Sequence, residues 1–239
     1  MPALEVAETI QSKHLQNERT IWVYPPRVPA AAPNLVLFLD GEFYLNGVGA
    51  MEVWNEFGES IADSWVVFVS HHSTEARWIE CPCHPPFAEF VVDELLPWLE
   101  AKFAMSAVQR RTLVGLSYTG LAAAYIALRK PGLFGRVICQ SGSFWWNDCW
   151  LPKQAKSMPN NLTQFYLDVG TKETKTNVQH RADVLQQVSQ IEGVRRMRDS
   201  LQSSGMNVTY VEFDGGYDFC EWRLTLPKAL RWALSSEAG

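Results

Sequence analysis

Seven apolar runs rich in β-branched and aromatic residues punctuate this chain: Thr20–Tyr24, Leu35–Leu39, Trp65–Val69, Thr112–Gly115, Arg136–Cys139, Gln164–Asp168 and Val208–Glu212. Their hydrophobicity is continuous rather than alternating, the pattern of strands covered on both faces. Helix-length amphipathic stretches separate most of them. Phe87, Phe90, Val91, Leu95, Trp98 and Leu99 fall largely on one stripe between Phe87 and Phe103, and residues 178–204 and 225–235 read similarly. Strands alternating with helices predict an α/β fold, with a mainly parallel central sheet and helices on both faces. The first extended segments, Val6–Ser12 and Thr20–Tyr24, are joined by a polar turn and predict an antiparallel hairpin at the N-terminal edge. Pro25–Pro33 reads as a surface loop rather than a boundary, so the 239 residues are expected to form one domain, 1–239.

Charge and cysteine content narrow the partners. The net charge is −5 with no basic block, which argues against a nucleic acid held through its phosphates. No apolar stretch approaches the roughly 20 residues of a membrane span. The N-terminus shows neither a basic region nor an apolar one, so no signal peptide is expected. Five cysteines, an odd number, favour reduced thiols in the cytoplasm over a disulfide framework. Cys81-Pro-Cys83-His84 resembles half of a zinc clip, but no second pair of ligands follows it. Buried thiols are the better reading, and neither a metal nor another cofactor is expected.

The residues with chemical potential cluster where strands end. In Gly115-Leu-Ser117-Tyr-Thr-Gly120 a serine lies between a strand run and a helix-forming run, Leu121–Arg129. That order is the nucleophile elbow of an α/β-hydrolase fold, although it also fits an ordinary strand-to-helix turn. The motif departs slightly from Gly-x-Ser-x-Gly, because Thr119 stands two places after the serine. Ligands of such sheets bind beyond the carboxyl ends of the strands. There, Asp40-Gly41-Glu42 offers either a plain turn or a backbone donor, and the amides of Glu42 and Tyr118 would then form an oxyanion hole. Beyond the sixth strand, Asp168-Val-Gly170-Thr-Lys-Glu173 makes Glu173 the candidate acid, with an exposed glutamate as the alternative; Asp168 still lies inside the strand. Asp148–Asn161 reads as a helix-poor segment able to cap the site.

Three segments taken together carry a resemblance: Leu39-Asp-Gly-Glu-Phe43, Gln140-Ser-Gly-Ser-Phe-Trp-Trp146, and Gly215-Gly-Tyr-Asp218 followed by Trp222-Arg223. They resemble the putative-esterase branch of the α/β-hydrolases, and most of all the catalytic domain of enterochelin esterases. Arg77-Trp-Ile-Glu80 and Glu94-Leu-Leu-Pro-Trp98 fit the same family, and the similarity runs from Ser12 to Leu234. It implies a serine esterase with an acyl-serine at Ser117, acting on a small-molecule ester of siderophore type or an aromatic ester.

The same resemblance places a catalytic histidine between Gly216 and Asp218, where this chain has Tyr217. Histidine suits a base because its pKa lies near 6.5. A phenol with pKa about 10 is roughly one part in a thousand ionised at pH 7. His71 and His72, after the third strand run, are the possible substitute bases; His84 and His180 are weaker, His180 being expected to start a helix, and His14 belongs to the edge hairpin. For the substrate, Arg77, Trp145, Trp146 and Trp222 are the expected contacts, with Phe144, Trp150 and Phe219 nearby and Arg223 reserved for a structural carboxylate. Two readings stay open at this stage: a serine esterase that is weak for want of its base, and a non-catalytic protein holding a ligand in an aromatic cleft.

Overall fold

Each of the seven runs is a strand, and three further strands accompany them. The computed structural model describes residues 6–61 and 63–235. Its strands are β1 (Val6–Ser12), β2 (Asn17–Tyr24), β3 (Asn34–Leu39), β4 (Ser64–Val69), β5 (Arg110–Leu116), β6 (Arg136–Gln140), β7 (Gln164–Gly170), β8 (Val178–Arg181), β9 (Val184–Gln186) and β10 (Asn207–Phe213). Eight of them form one sheet in the order β1-β2-β4-β3-β5-β6-β7-β10. The β1–β2 hairpin and its seam with β4 are antiparallel, and every other pairing is parallel.

The helices are α1 (Ala50–Glu56), α2 (Thr74–Glu80), α3 (Pro85–Glu89), α4 (Leu96–Phe103), α5 (Ser117–Arg129), α6 (Trp146–Ala155), α7 (Gln190–Ser203) and α8 (Phe219–Leu234). A π-helical turn, Phe90–Leu95, joins α3 to α4 and keeps the predicted stripe from Phe87 to Phe103 continuous. The sheet separates two apolar layers. Leu35, Leu37 and Leu39 face α3, α4, α5 and α7, whereas Val36 and Phe38 face α1 and α8. Burying successive residues on opposite faces is why the strand runs are apolar without alternation. Within α5, Ser117 to Leu128 are all buried, because this helix follows the central strand β5 and is covered by its neighbours. No helix among the described residues is long and apolar enough to cross a membrane.

Two expectations need correction. Residues 178–189 are not helical: β8 and β9 form a small antiparallel hairpin, so His180 lies in a strand, and α7 begins only at Gln190. The start is set by Ser189, whose hydroxyl accepts the Glu192 amide at 3.3 Å, the Ser-x-x-Glu arrangement of a helix N-cap. The stretch from Asp148 is not helix-poor either, since α6 occupies Trp146–Ala155. Its opening is irregular: Asn147, Asp148 and Cys149 have φ of 48°, 52° and 57°. Three successive left-handed residues and Pro152 hide this helix from a periodicity argument.

The β5–α5 junction depends on the missing side chain of Gly115. A Cβ there would lie 2.1 Å from the Thr119 carbonyl oxygen, whereas a Cβ on Gly216 would meet nothing within 4 Å. Gly115→Ala should therefore lower the unfolding free energy by about 3 kcal/mol, and Gly216→Ala by less than about 0.5 kcal/mol. Urea denaturation of the two variants measures the difference.

Candidate active site

Ser117 sits at the β5–α5 turn with φ 54°, a left-handed conformation held by its surroundings rather than preferred by serine. The preceding residue Leu116 is extended. The Thr119 hydroxyl locks the turn: it accepts the Leu116 amide at 3.1 Å and lies 2.8 Å from the Leu116 carbonyl and 3.0 Å from Asp40 Oδ2. From the neighbouring β6 loop, the Ser143 amide donates to the Ser117 carbonyl at 2.9 Å. Ser117 Oγ has two partners, Ser143 Oγ at 3.3 Å and the Tyr217 hydroxyl, which donates to it. The phenol thus reaches the nucleophile directly. Its ring meets Trp222 edge-on at 4.9 Å; the residue as a whole is 49% exposed, while the hydroxyl end is enclosed. That enclosure raises the phenol pKa, with the Ser117 hydrogen bond and the Arg77 charge opposing it.

The two candidate oxyanion donors occupy first turns of helical segments, where amides lack intrahelical acceptors. Asp40 O accepts the amides of Phe43 and Tyr44 at 2.9 and 3.1 Å, so Glu42 N–H precedes the first bonded amides of its turn. Tyr118 is the second residue of α5.

Glu173 lies at the end of a tight turn after β7, with Glu173 N donating to Gly170 O at 3.1 Å. It is buried, not exposed: its side chain accepts from Gly170 N and Ser141 Oγ, both at 2.7 Å and both on Oε1. Oε2 has no hydrogen-bond partner. Burial pushes the Glu173 carboxyl up to about 7, and the two hydrogen bonds only partly oppose this. Asp168, fully buried in β7, accepts the Ser141 amide at 3.3 Å and is likewise pushed up to about 7 by burial. Ser141 links the two acids and accepts from Trp222 Nε1 at 3.1 Å.

Beside Glu173 opens a cavity of about 350 Å³, with Trp145, Lys172, His180, Gln190 and Tyr217 among its walls. The His180 ring stacks on Trp145 at 5.0 Å and 10°, and its Nε2 lies 2.9 Å from Gln186 Oε1. The β8–β9 hairpin therefore forms one side of the cavity.

Several expected site residues are engaged with other partners. Arg77 is buried and forks onto Asp40, with Nε to Oδ1 at 2.9 Å and Nη2 to Oδ2 at 2.6 Å. Its Nε and Nη2 are thus taken up by Asp40. His71 Nδ1 lies 3.4 Å from Asp40 Oδ1 and 3.2 Å from Glu42 Oε2, so its pKa is raised, chiefly by Asp40. Its amide also donates to Glu42 Oε2 at 3.2 Å, and neither His71 nor exposed His72 is a partner of Ser117 Oγ. His14 pairs with Glu89 at 3.4 Å, and His84 precedes α3. Trp146 packs on the core at the start of α6, and Trp222 lies behind Tyr217; of the three tryptophans only Trp145 faces the cavity. Arg223 binds the carbonyls of Val48 and Gly49 and the Glu52 carboxylate, as expected of a structural residue. Cys81 and Cys83 are buried and burial raises both thiols. Among the described residues no group of three or more His, Cys, Asp or Glu could hold a metal ion.

Sequence reasoning missed Ser141 and Ser143. Both stand at the carboxyl end of β6 within Gln140-Ser-Gly-Ser, the place where site residues of such sheets collect.

The buried acids give a pH prediction. Their carboxyls titrate near 7 when folded and near 4 when unfolded, so the folded state holds protons that the unfolded state releases. Their stabilising contribution is complete below about pH 4 and is lost as pH rises through about 7. Urea denaturation should show stability falling by a few kcal/mol over that interval, and Asp168→Asn should flatten the slope.

Comparison with known proteins follows the same architecture. A family described as "Putative esterase" matches residues 12–233. The iron(III) enterobactin esterase of Dickeya dadantii (strain 3937) is 32% identical over 251 residues, covering 95% of this chain and 54% of the relative. The iron(III) enterobactin esterase of Escherichia coli (strain K12) is 33% identical over 150 residues, covering 61% of this chain and 38% of the relative. The chain thus spans about half, or less, of the length of these relatives. Among solved structures, the Shigella flexneri enterobactin esterase in the presence of enterobactin superposes with a TM-score of 0.81 at 25% identity, over 98% of this chain and 59% of that one.

Proposed function

This chain belongs to the putative-esterase family, and we propose that it cleaves a carboxylic ester through an acyl-serine at Ser117. The observation that carries this reading is Ser117 itself: a buried serine with φ 54° at a strand–helix junction, bonded to the side chain that occupies the base position. In this reading the substrate carbonyl lies above Ser117 Oγ, and the amides of Glu42 and Tyr118 hold the developing oxyanion. The cavity lined by Trp145 and His180 takes one arm of the substrate, and a planar or aromatic arm suits the stacked wall. A siderophore-type or aromatic ester is the proposed substrate class, given relatives named as enterobactin esterases.

Turnover is slow in this proposal. Tyr217 takes the position of the base but donates to Ser117 Oγ instead of accepting from it. The raised phenol pKa makes acceptance harder still. The same observation favours a second reading, a pseudo-esterase that binds its ligand without turnover.

Kinetics with a p-nitrophenyl ester decide between them. Loss of the base in a serine triad costs on the order of 10⁶ in rate, so Tyr217→His should raise kcat/KM by at least about 10²-fold even with imperfect placement. Ser117→Ala should abolish activity in both backgrounds. Wild-type activity that survives Ser117→Ala would remove the acyl-serine, and no gain in Tyr217→His would favour the binding-only protein.

A further inference from the structure

The two amides assigned to the oxyanion come from distant parts of the chain, the loop after β3 and the first turn of α5. One buried ion pair joins those parts. Asp40 follows β3 directly, with φ 59°, and is 3% exposed. Its main-chain carbonyl shapes the turn that presents Glu42, while its carboxylate reaches Thr119, the residue after Tyr118. Arg77, held on that carboxylate by Nε and Nη2, lies 5.1 Å from the Phe43 ring and 5.8 Å from the Tyr118 ring. The guanidinium therefore touches the residue after one donor and the side chain of the other. We propose that Asp40, Arg77 and Thr119 form a clamp that sets the spacing of the Glu42 and Tyr118 amides, with all three acting as positioning residues. The inference rests on the reading of Ser117 as a nucleophile with an oxyanion hole beside it.

The clamp explains a departure from the simple elbow motif. With glycine two places after the serine there would be no hydroxyl between the elbow and Asp40. Thr119 supplies one, and its three contacts with Leu116 and Asp40 fasten the turn to the opposite donor loop. It also assigns Arg77 a role for which its burial suits it. A buried ion pair is weak evidence of stability by itself; here its significance is position, because every group it contacts adjoins an oxyanion donor. His71 and Glu42 close the outer side of Asp40, with His71 Nδ1 between the two carboxylates.

Removing either charge would leave the other buried without its main partner, so the informative variant keeps both. Thr119→Val removes the hydroxyl at nearly constant shape, and Thr119→Ser retains it. The first readout is the rate of Ser117 phosphonylation by a fluorophosphonate, in which the serine oxygen displaces fluoride and the phosphoryl oxygen takes the place of the oxyanion. Thr119→Val should slow it about 10²-fold, the size of a misplaced or lost donor, and Thr119→Ser should react within about 3-fold of wild type. A mere packing role would instead reduce thermal stability and leave the rate of the folded protein unchanged. The second readout is the crystal structure of each variant. The Glu42 N to Tyr118 N separation should change by about 0.5 Å in Thr119→Val and be restored in Thr119→Ser. An unchanged separation, or an unchanged phosphonylation rate in folded Thr119→Val, overturns the clamp. Failure of wild type to react at Ser117 overturns the nucleophile reading instead, and the measured separations then still judge the clamp.

Discussion

The first turn of α5 presses its backbone onto the end of β5, and most of the site follows from that approach. It requires Gly115 to lack a side chain, since the Thr119 carbonyl occupies the place a Cβ would take. Gly120 lies similarly close to Gly142, with a Cβ there falling 3.1 Å from the Gly142 Cα. A chain turning so tightly from strand to helix must pass through a left-handed residue, and that residue is Ser117. Such a residue costs of order 1–3 kcal/mol and persists only where neighbours over-determine it. The neighbours are identifiable: Thr119 holds Leu116 from the helix side, and Ser143 holds the Ser117 carbonyl from the β6 loop.

Burial governs the electrostatics of the site. Glu173 is built into a turn as a triad acid would be, with Oε1 satisfied by an amide and a hydroxyl and Oε2 left without a donor. An imidazole could donate to such an oxygen and accept from serine at once. A phenol has one proton, and Tyr217 directs it to Ser117. Oε2 of Glu173 therefore lacks a donor. Arg77 does not compensate, because Asp40 holds its fork. Burial is what pushes both carboxyls, Asp168 and Glu173, up to about 7.

How much of this was legible in the sequence depends on the range of the signal. Strands buried on both faces announce themselves through local composition, and all seven runs lie within strands, in parallel order after the edge hairpin. The glycine-flanked turn at Ser117 was equally local. The β8–β9 hairpin was lost because polar residues such as Gln179, His180 and Arg181 fit a helix surface as well as an exposed ribbon. The Ser189–Glu192 spacing nevertheless marked where α7 starts. The Asp40 partner of Arg77 was out of range for a different reason: it lies 37 residues away, and only the sheet brings them together. Residue type suggested a cation for substrate and could not show the Asp40 fork. His71 is the same case, with its ring nitrogen facing Asp40 and Glu42 rather than the nucleophile.

The direction of the Tyr217 hydrogen bond separates the proton transfers of the proposed reaction. A base in this position takes the serine proton and passes it to the leaving alcohol as the acyl-enzyme forms, then takes a proton from water and returns one to the serine oxygen. The phenol suits the last of these tasks, because it already donates to that oxygen. It is poorly suited to removing a proton from serine or from water, since burial raises its pKa and makes the phenolate scarcer than in water. The barrier created by this substitution therefore falls on the attacks by Ser117 and by water, not on departure of the serine oxygen. Esters with good leaving groups ask less of the base during attack by Ser117. Reactivity in the proposed enzyme should accordingly depend more steeply on leaving-group acidity than in a relative with imidazole at this position.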